Sequence, residues 1–395
     1  MLEQVITSTK IIVTPHLSAE EMERLIFYCK GEEANPCVIM DNHPLDARDA
    51  MLNEWQKIRP VEILNNVFPN PKVDDIMDMA NTLQDKKINV VIGIGGGSSL
   101  DSAKGVAVIL SNGGDLEEYL GATPSKKIEQ HNVQLILIPT TAGTGSEVTK
   151  VGVYTSRSGR KYTLGHPCMQ ADIAVLVTEY VKNLPPALTA STAFDALSHA
   201  LETLWNRNAT PLTDKIATES AVYLLKNMEA AYESSLSGKE TGRTEMLQGA
   251  CMAGIGFNIT GTAAVHALSF IFSEEWDIPH GIACAFTLED VFRLNLRDEK
   301  TRVRLVEVAK RLFDKENEDD LLSSLLNRII SLKKKFGLPF SFRDLNIELP
   351  ETKIGELFNK SLEDPKMKNN STEITSRIIF DLIKSKINKN IESCR

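Results

Sequence analysis

Apolar and polar positions alternate in two different ways in the two halves of the chain. In the first half, short apolar runs indicate buried strands of a parallel sheet, and amphipathic stretches with helical spacing lie between them. The strands predicted for the parallel sheet cover residues 36–41, 89–94 and 133–138, and the predicted helices cover residues 47–57 and 73–85. Further strands are predicted at residues 151–155 and 173–177. This alternation predicts an α/β domain with a parallel sheet.

The pattern changes after the break at Leu184-Pro185-Pro186. Strand signals become rare, and segments with helical periodicity follow at residues 188–204, 212–234, 240–257, 301–313 and 321–335. The tail from Asn369 to Arg395 predicts one more helix with a Lys- and Asn-rich, solvated end. A chain of 395 residues exceeds one ordinary core. We therefore expect an α/β domain over residues 1–185 and an all-α domain over residues 186–395.

The composition is typical of a globular protein, with 42% hydrophobic and 25% charged residues. A net charge of −9 without a basic stripe argues against a nucleic-acid partner. The six cysteines, Cys394 among them, form no CxxC pair, and Met1-Leu2-Glu3-Gln4 lacks a signal-peptide pattern. No apolar run reaches the roughly 18 residues of a membrane helix. We expect a cytoplasmic homodimer that binds neither membrane nor nucleic acid.

A glycine cluster follows the strand predicted at residues 89–94. Gly95-Gly96-Gly97-Ser98 leads directly into a segment with helical spacing. Glycines let phosphate oxygens approach the backbone, and the free N–H groups and dipole of a helix N-terminus attract anions. The cluster is not the G-x-G-x-x-G pattern, and a tight structural turn is the alternative. The succession of a strand, a glycine turn and a helix N-terminus predicts an anion site at this point.

Three of the seven histidines form a set with one aspartate. Asp195 and His199 are four residues apart, so both side chains lie on one face of a helix. His266 and His280 follow further along the chain. A carboxylate and imidazoles that converge on one point suit Fe²⁺ or Zn²⁺. Each histidine alone is more often a core residue, but the complete set favours a metal site.

The chain resembles the iron-containing (group III) alcohol dehydrogenases, which have the dehydroquinate-synthase-like fold. The resemblance covers nearly the whole chain. It rests on Gly95-Gly96-Gly97-Ser98 with Asp101 and Lys104, on the run of residues 139–148, and on the metal set with its fourteen-residue step from His266 to His280.

The resemblance implies that the first domain binds NAD(H). The implied cofactor contacts are Asp41, Asn70, Gly96, Gly97, Ser98, Asp101, Thr140, Thr141, Thr144 and Lys161. Asp41 ends the first strong strand, where a carboxylate can bind the adenosine ribose and repel a 2′-phosphate. We therefore expect NAD(H) rather than NADP(H). Without the resemblance, Asp41 could equally be a solvated strand end, and Lys161 a surface lysine.

The resemblance also implies one divalent metal, Fe²⁺ or Zn²⁺, in the second domain. Its ligands would be Asp195, His199, His266 and His280, and His266 and His280 would also be catalytic. The metal would polarise an aldehyde oxygen while hydride arrives from the nicotinamide. Phe270 stands where many members of the family have a further histidine near the substrate, so an imidazole proton relay is absent there and the pocket wall differs.

Three short segments, at residues 161–164, 202–205 and 266–270, are similar to the phosphonoacetaldehyde reductase branch of the family. A small anionic aldehyde such as phosphonoacetaldehyde needs a cation in its pocket. Lys150 and Arg160 are the candidates, with Phe270 as the wall. Sulfoacetaldehyde, succinic semialdehyde or a broad range of short-chain alcohols are alternative substrates.

Two rival functions belong to other classes: a cyclase or polyol dehydrogenase of the same fold, and a non-catalytic binding protein. The Gly-Thr-Gly-Ser-Glu-Val loop at residues 143–148 and the block from His266 to His280 argue against a cyclase. The complete metal set argues against a non-catalytic protein, because nothing structural requires it.

Overall fold

A computed structural model describes residues 7–238 and 240–387. The predictions for the first four residues, for Cys394 and for the chain end beyond residue 387 lie outside the described residues. The chain divides into two compact units, Met1–Asn183 and Leu184–Arg395.

The first unit contains eight strands among its described residues. They are β1 (Lys10–Thr14), β2 (Pro36–Met40), β3 (Glu62–Leu64), β4 (Val90–Gly95), β5 (Gln134–Pro139), β6 (Val151–Thr155), β7 (Lys161–Gly165) and β8 (Ile173–Val177). Six of them form a parallel sheet in the order β1-β8-β5-β4-β2-β3. Strands β2, β4 and β8 are buried along their whole length, which explains their continuous apolar runs.

Helices cover both faces of this sheet. They are α1 (Ala19–Lys30), α2 (Asp46–Ile58), α3 (Val73–Leu83), α4 (Gly97–Asn112) and the short α5 (Thr178–Val181). One core packs residues of α3 and α4 against one set of alternating strand positions, and a second core packs α1 and α2 against the other set. A Cβ at Gly93 would lie 2.8 Å from the side chains of Ala103 and Leu137, so this glycine lets α4 pack closely on β4.

Strands β6 and β7 form a separate antiparallel hairpin. Val151 pairs with Gly165 at one end, and Thr155 pairs with Lys161 at the other. The strand predicted at residues 151–155 therefore exists, but it lies outside the parallel sheet. The sequence pattern did not predict β1, β3 or β7, because β3 has only three residues and the other two are largely half-exposed.

The described part of the second unit is helical apart from an isolated bridge between Asn206 and Asn370. Its helices are α6 (Pro186–Leu204), α7 (Pro211–Ser237), α8 (Arg243–Thr260), α9 (Ala264–Trp276), α10 (His280–Asn295), α11 (Glu299–Lys310), α12 (Glu318–Lys335), α13 (Glu351–Phe358) and α14 (Ser376–Ile387). The predicted fold class, an α/β part followed by an all-α part, is confirmed.

Helix α6 lies at the centre of the second unit, where it packs against α7, α8 and α10 and also contacts α9. Every residue from Ala193 to Leu204 is buried. Among residues 7–238 and 240–387, no single helix is long and apolar enough to cross a membrane; α8 and α9 pass that test only as a pair bent by 103°.

Candidate active site

Three helices of the second unit bring the predicted metal ligands together. Helix α6 carries Asp195 and His199 one turn apart, α9 carries His266 in its first turn, and α10 begins at His280. The Oδ1 atom of Asp195 lies 3.5 Å from Nε2 of both His266 and His280 and 3.9 Å from Nδ1 of His199. A Cβ at Gly281 would clash with the carbonyl oxygen of Ser191, so this glycine lets α10 begin directly against α6.

Cys284 lies at the same centre, although it was not among the ligands predicted from the sequence. It follows His280 by one turn of α10, and its Sγ is 3.8 Å from Nε2 of His280. One potential ligand atom each of Asp195, His266, His280 and Cys284 lie within 4.8 Å of one another. The predicted ligand His199 is not in this tight set; its ring stacks between Phe257 and His266. In the sequence, the four-residue spacing between His280 and Cys284 was the signal that could have identified Cys284 as a ligand.

Two buried atoms at the centre lack ordinary hydrogen bonds. Among the described residues, neither Oδ1 of Asp195 nor Nε2 of His266 has a hydrogen-bond partner. Leaving such a group unsatisfied costs about 1–3 kcal/mol, so the arrangement is costly unless something binds there. Carboxylate, imidazole and thiol groups are ligands of Fe²⁺ and Zn²⁺. The centre therefore fits a divalent metal ion.

Glu202, one turn after His199 on α6, orients His266. Its carboxylate is fully buried and accepts hydrogen bonds from the backbone N–H groups of Ala263, Val265 and His266 at 2.7, 2.6 and 3.3 Å. It also contacts Nδ1 of the His266 ring at 2.7 Å. In a neutral imidazole whose Nδ1 donates to Glu202, Nε2 would be unprotonated, and this atom faces Asp195. Glu202 thus fixes both the start of α9 and the tautomer that a metal requires.

The charged groups of the centre hold one another in their ionised forms. Burial alone would raise the pKa of Asp195, but His199, His280 and His266 hold it well below its usual range. Burial would also raise the pKa of Cys284, and His266 and His280 lower it instead. Burial alone would lower the pKa of His280, but Cys284 and Asp195 raise it above its usual value. Anionic groups at a buried point attract a divalent cation.

In the first unit, the glycine turn presents a helix N-terminus. Helix α4 starts at Gly97 directly after β4, so the N–H groups of Gly97 and Ser98 belong to its first turn. The N–H of Thr140 donates to the carbonyl oxygen of Gly95 at 2.9 Å, which brings the loop after β5 beside this turn.

The close approach of that loop requires a glycine at position 97, whereas a side chain at position 96 would make only ordinary contact. A Cβ at Gly97 would lie 2.8 Å from the methyl carbon of Thr144, and one at Gly96 would lie 3.5 Å from that of Thr141. The structure therefore brings the predicted glycine and threonine contacts together at one helix N-terminus, where an anion can bind.

Asp41 lies beside the same turn. It follows β2, and its Oδ2 accepts a hydrogen bond from the Ser99 hydroxyl at 3.2 Å, while Oδ1 accepts one from the N–H of His43 at 3.0 Å. Arg48 is 3.8 Å away, and the Asp41 side chain is 28% exposed. A carboxylate at this point can contact a ribose adjoining a bound phosphate.

Asn70 and Lys161 also come together. The Lys161 ammonium donates to the side-chain oxygen of Asn70 at 2.8 Å. Asn70 has a left-handed backbone conformation with φ of 58°, and the hairpin is attached next to it by the bond from the N–H of Thr155 to the carbonyl oxygen of Pro71 at 2.8 Å. Two residues 91 positions apart in the chain thus form one pair.

Asp101, a predicted cofactor contact, uses its carboxylate within the protein. It accepts hydrogen bonds from the Ser146 hydroxyl at 2.7 Å and the N–H of Val153 at 2.9 Å. Lys104 is fully buried and donates to the carbonyl oxygens of Ser146 and Val151, both at 2.7 Å. Burial lowers the pKa of Lys104 to about 8, against the opposing charges of Asp101 and Glu147. Both residues hold the loop and the hairpin on α4.

Of the predicted substrate residues, two lie in the first unit and one lies in the second. Lys150 directly precedes β6 at one end of the hairpin, and the exposed Arg160 directly precedes β7 at the other end. A five-residue strand is roughly 17 Å long, so the backbones of these two residues lie about one strand length apart. Phe270 lies in the second unit, with its ring centroid 6.4 Å from that of His280.

Comparisons with known proteins agree with this geometry. The model of the iron-containing alcohol dehydrogenase family matches residues 13–178, and the model of the C-terminal part of the Fe-containing alcohol dehydrogenases matches residues 189–387. The 1-propanol dehydrogenase PduQ of Citrobacter freundii is 31% identical over 75% of this chain and 78% of its own length.

Two sulfoacetaldehyde reductases are also similar to this chain. The enzyme of Bilophila wadsworthia is 35% identical over 55% of each chain. The crystal structure of the enzyme from Bifidobacterium kashiwanohense, in complex with NAD⁺, is 28% identical and superposes with a TM-score of 0.87 over 99% of this chain and 100% of that one. With both family models matched along almost its whole length, the chain belongs to the iron-containing alcohol dehydrogenase family.

Proposed function

We propose that this protein is an NAD(H)- and metal-dependent dehydrogenase that interconverts a short aldehyde bearing an anionic group and the corresponding alcohol. The observation that carries the proposal is the buried pair of unsatisfied ligand atoms, Oδ1 of Asp195 and Nε2 of His266, beside His280. No core packing requires such a pair, and a divalent ion would satisfy both atoms.

Asp195, His266, His280 and Cys284 are placed to hold the ion, and His199, with its Nδ1 3.9 Å from Oδ1 of Asp195, would be a further ligand. When bound, the ion supplies Lewis-acid polarisation of a carbonyl and the nicotinamide supplies hydride. The protein provides position: Glu202 holds the His266 ring with Nε2 facing inward.

The substrate side of the centre has an open and an apolar part. The His280 side chain is 36% exposed, so the centre can be reached from solvent. The largely buried ring of Phe270 forms an apolar wall beside it and keeps water from that side. Phe270 cannot carry a proton, so the proton that completes the alcohol must come from water, a ribose hydroxyl or another group.

The first unit supports the choice of NAD(H). Its glycine turn and helix α4 form the anion site for the pyrophosphate, and Asp41 lies beside it. A carboxylate there can bind the ribose hydroxyls of NAD(H) and repels the 2′-phosphate of NADP(H). The pair formed by Asn70 and Lys161 is the further contact that we propose for the cofactor.

The similarity to sulfoacetaldehyde reductases supports an anionic substrate, and phosphonoacetaldehyde presents the same combination of a short carbonyl arm and an anionic head. The similarity to a 1-propanol dehydrogenase favours the second candidate, a broad short-chain alcohol dehydrogenase. Lys150 and Arg160 were the cations suggested by the sequence, and their separation makes them alternatives to each other.

An NADH oxidation assay after reconstitution with Fe²⁺ or Zn²⁺ tests the proposal. The substrates are phosphonoacetaldehyde, sulfoacetaldehyde, succinic semialdehyde and propanal. We expect kcat/KM for at least one anionic aldehyde to exceed that for propanal by about tenfold or more, the effect of roughly 1.4 kcal/mol of added binding. Equal kcat/KM for propanal and the anionic aldehydes would refute the anionic substrate and favour a broad short-chain alcohol dehydrogenase. If no aldehyde supports NADH oxidation, the proposed function is refuted.

A further inference from the structure

A cation other than Lys150 and Arg160 lies beside Phe270, in the same unit as the metal centre. The ammonium nitrogen of Lys366 is 4.0 Å from the centroid of the Phe270 ring. That ring in turn is 6.4 Å from the ring of His280. We propose that Lys366 binds the anionic group of the substrate. This inference rests on the proposed function, and it assigns the anion site to a residue that the sequence alone did not indicate.

The backbone around Lys366 is firmly held. It lies in the 3₁₀ helix Pro365–Asn369, which packs against α9 and is capped by the Asp364 side chain accepting from the N–H of Lys366. At the other end, the Asn369 side chain donates to the carbonyl oxygen of Thr262 at 2.8 Å, and the N–H of Arg207 donates to the carbonyl oxygen of Asn369 at 2.7 Å. A residue on such a segment can define a binding site, because its position does not depend on a ligand.

The charge of Lys366 is placed in a poorly solvated position. Its side chain is only 15% exposed, and its ammonium donates to Asp364 at 2.8 Å. An anionic substrate group would approach this ammonium as a further acceptor beside Asp364. With little water nearby, the attraction to an anion is stronger than at the surface. Asp364 reduces the net charge but fixes where the ammonium lies.

Phe270 suits this arrangement better than a histidine would. The face of an aromatic ring attracts a cation, and the Lys366 ammonium lies over that face. A protonated imidazole at the same point would repel it. The substrate would then extend from the centre across the Phe270 ring, with its carbonyl end near His280 and its anionic head at Lys366. The replacement of the family histidine by Phe270 and the presence of Lys366 are thus explained by one function.

The test compares Lys366→Gln with Lys366→Arg and with the matched control Lys368→Gln, an exposed lysine of the same 3₁₀ helix. Glutamine keeps a donor for Asp364, and thermal melting verifies that each variant is folded. We expect Lys366→Gln to lower the ratio of kcat/KM for sulfoacetaldehyde to that for propanal by about 100-fold, or roughly 2.7 kcal/mol. Lys366→Arg should restore most of the ratio, and Lys368→Gln should not change it.

Binding of ethanesulfonate, measured by titration calorimetry, gives a readout that does not depend on turnover. This probe has the anionic head but no carbonyl, and Lys366→Gln should raise its Kd about tenfold or more. If the wild type prefers anionic aldehydes and Lys366→Gln keeps that preference, Lys366 is not the anion site although the proposed function stands. If the wild type reduces no aldehyde, the function fails by itself, and the ethanesulfonate titration still decides whether Lys366 binds an anion.

Discussion

Replacement of Glu202 by glutamine should weaken metal binding through the tautomer of His266. In the wild type, Nδ1 of His266 contacts the Glu202 carboxylate at 2.7 Å, and a proton held on Nδ1 by this carboxylate would leave Nε2 free to act as a ligand. A glutamine that presents its N–H₂ group to Nδ1 would make Nδ1 the acceptor and move the ring proton to Nε2. A protonated Nε2 cannot bind a metal, so we expect the metal affinity to fall by about 10- to 100-fold.

The same substitution has a cost in folding that the structure allows us to estimate. The carboxylate accepts from three backbone N–H groups at the start of α9, at Ala263, Val265 and His266. Glutamine keeps one oxygen for Val265 and His266 but turns a donor toward the N–H of Ala263. Losing a bond to a charged acceptor, with one buried N–H left unsatisfied, should lower the free energy of unfolding by about 2–4 kcal/mol.

Two assays separate the two effects. Competition with a metal chelator gives the affinity, and urea unfolding of the metal-free protein gives the stability. The control is Glu219→Gln, because Glu219 is exposed on α7 and pairs with Arg311, so its loss should change stability by less than about 1 kcal/mol. Unchanged metal affinity in a folded Glu202→Gln variant would refute the tautomer argument, and unchanged stability would refute the role of Glu202 at the start of α9.

Three further outcomes are expected. Asp41→Gly should narrow the preference for NADH over NADPH by about tenfold or more in steady-state kinetics, and an unchanged ratio would count against Asp41 as the ribose contact. Burial raises the pKa of Glu147 from 4.5 to about 7, so its contribution to stability is complete below pH 4.5 and is lost as the pH rises through about 7. Glu147→Gln should remove that decline of up to about 3 kcal/mol in urea unfolding, and parallel curves for the two proteins would contradict it. Cobalt-substituted wild type should show a thiolate charge-transfer absorption that Cys284→Ser lacks, and its absence in the wild type would exclude Cys284 as a ligand.

The sequence predicted those parts of the fold whose burial is visible in a local pattern. Strands β2, β4 and β8 are buried on both faces and therefore appear as continuous apolar runs. Strand β1 is a half-exposed edge strand, and β3 has only three residues, so neither gives a strong signal. Helices α9 and α10 were missed for the opposite reason: they are buried on nearly all sides and show no contrast between faces.

The candidate site shows a similar division. Motifs within one segment were visible, such as Asp195 with His199 or the glycine turn, and the structure places each at a helix that can serve the predicted role. The residues that act across the chain were not visible. Glu202 reaches His266 from 64 positions away, and Lys366 reaches Phe270 only because the 3₁₀ helix packs against α9. Such partners are determined by the packing of helices rather than by local spacing.

The metal content of wild type and of His266→Ala, measured by plasma mass spectrometry, tests the central claim most directly. His131→Ala is the control, since His131 is a partly exposed histidine of the first unit that contacts Asp172. The account predicts about one divalent ion per chain in wild type and His131→Ala, with loss of both the ion and NADH oxidation in a folded His266→Ala variant. Full metal occupancy in His266→Ala would contradict a centre built on Asp195, His266 and His280.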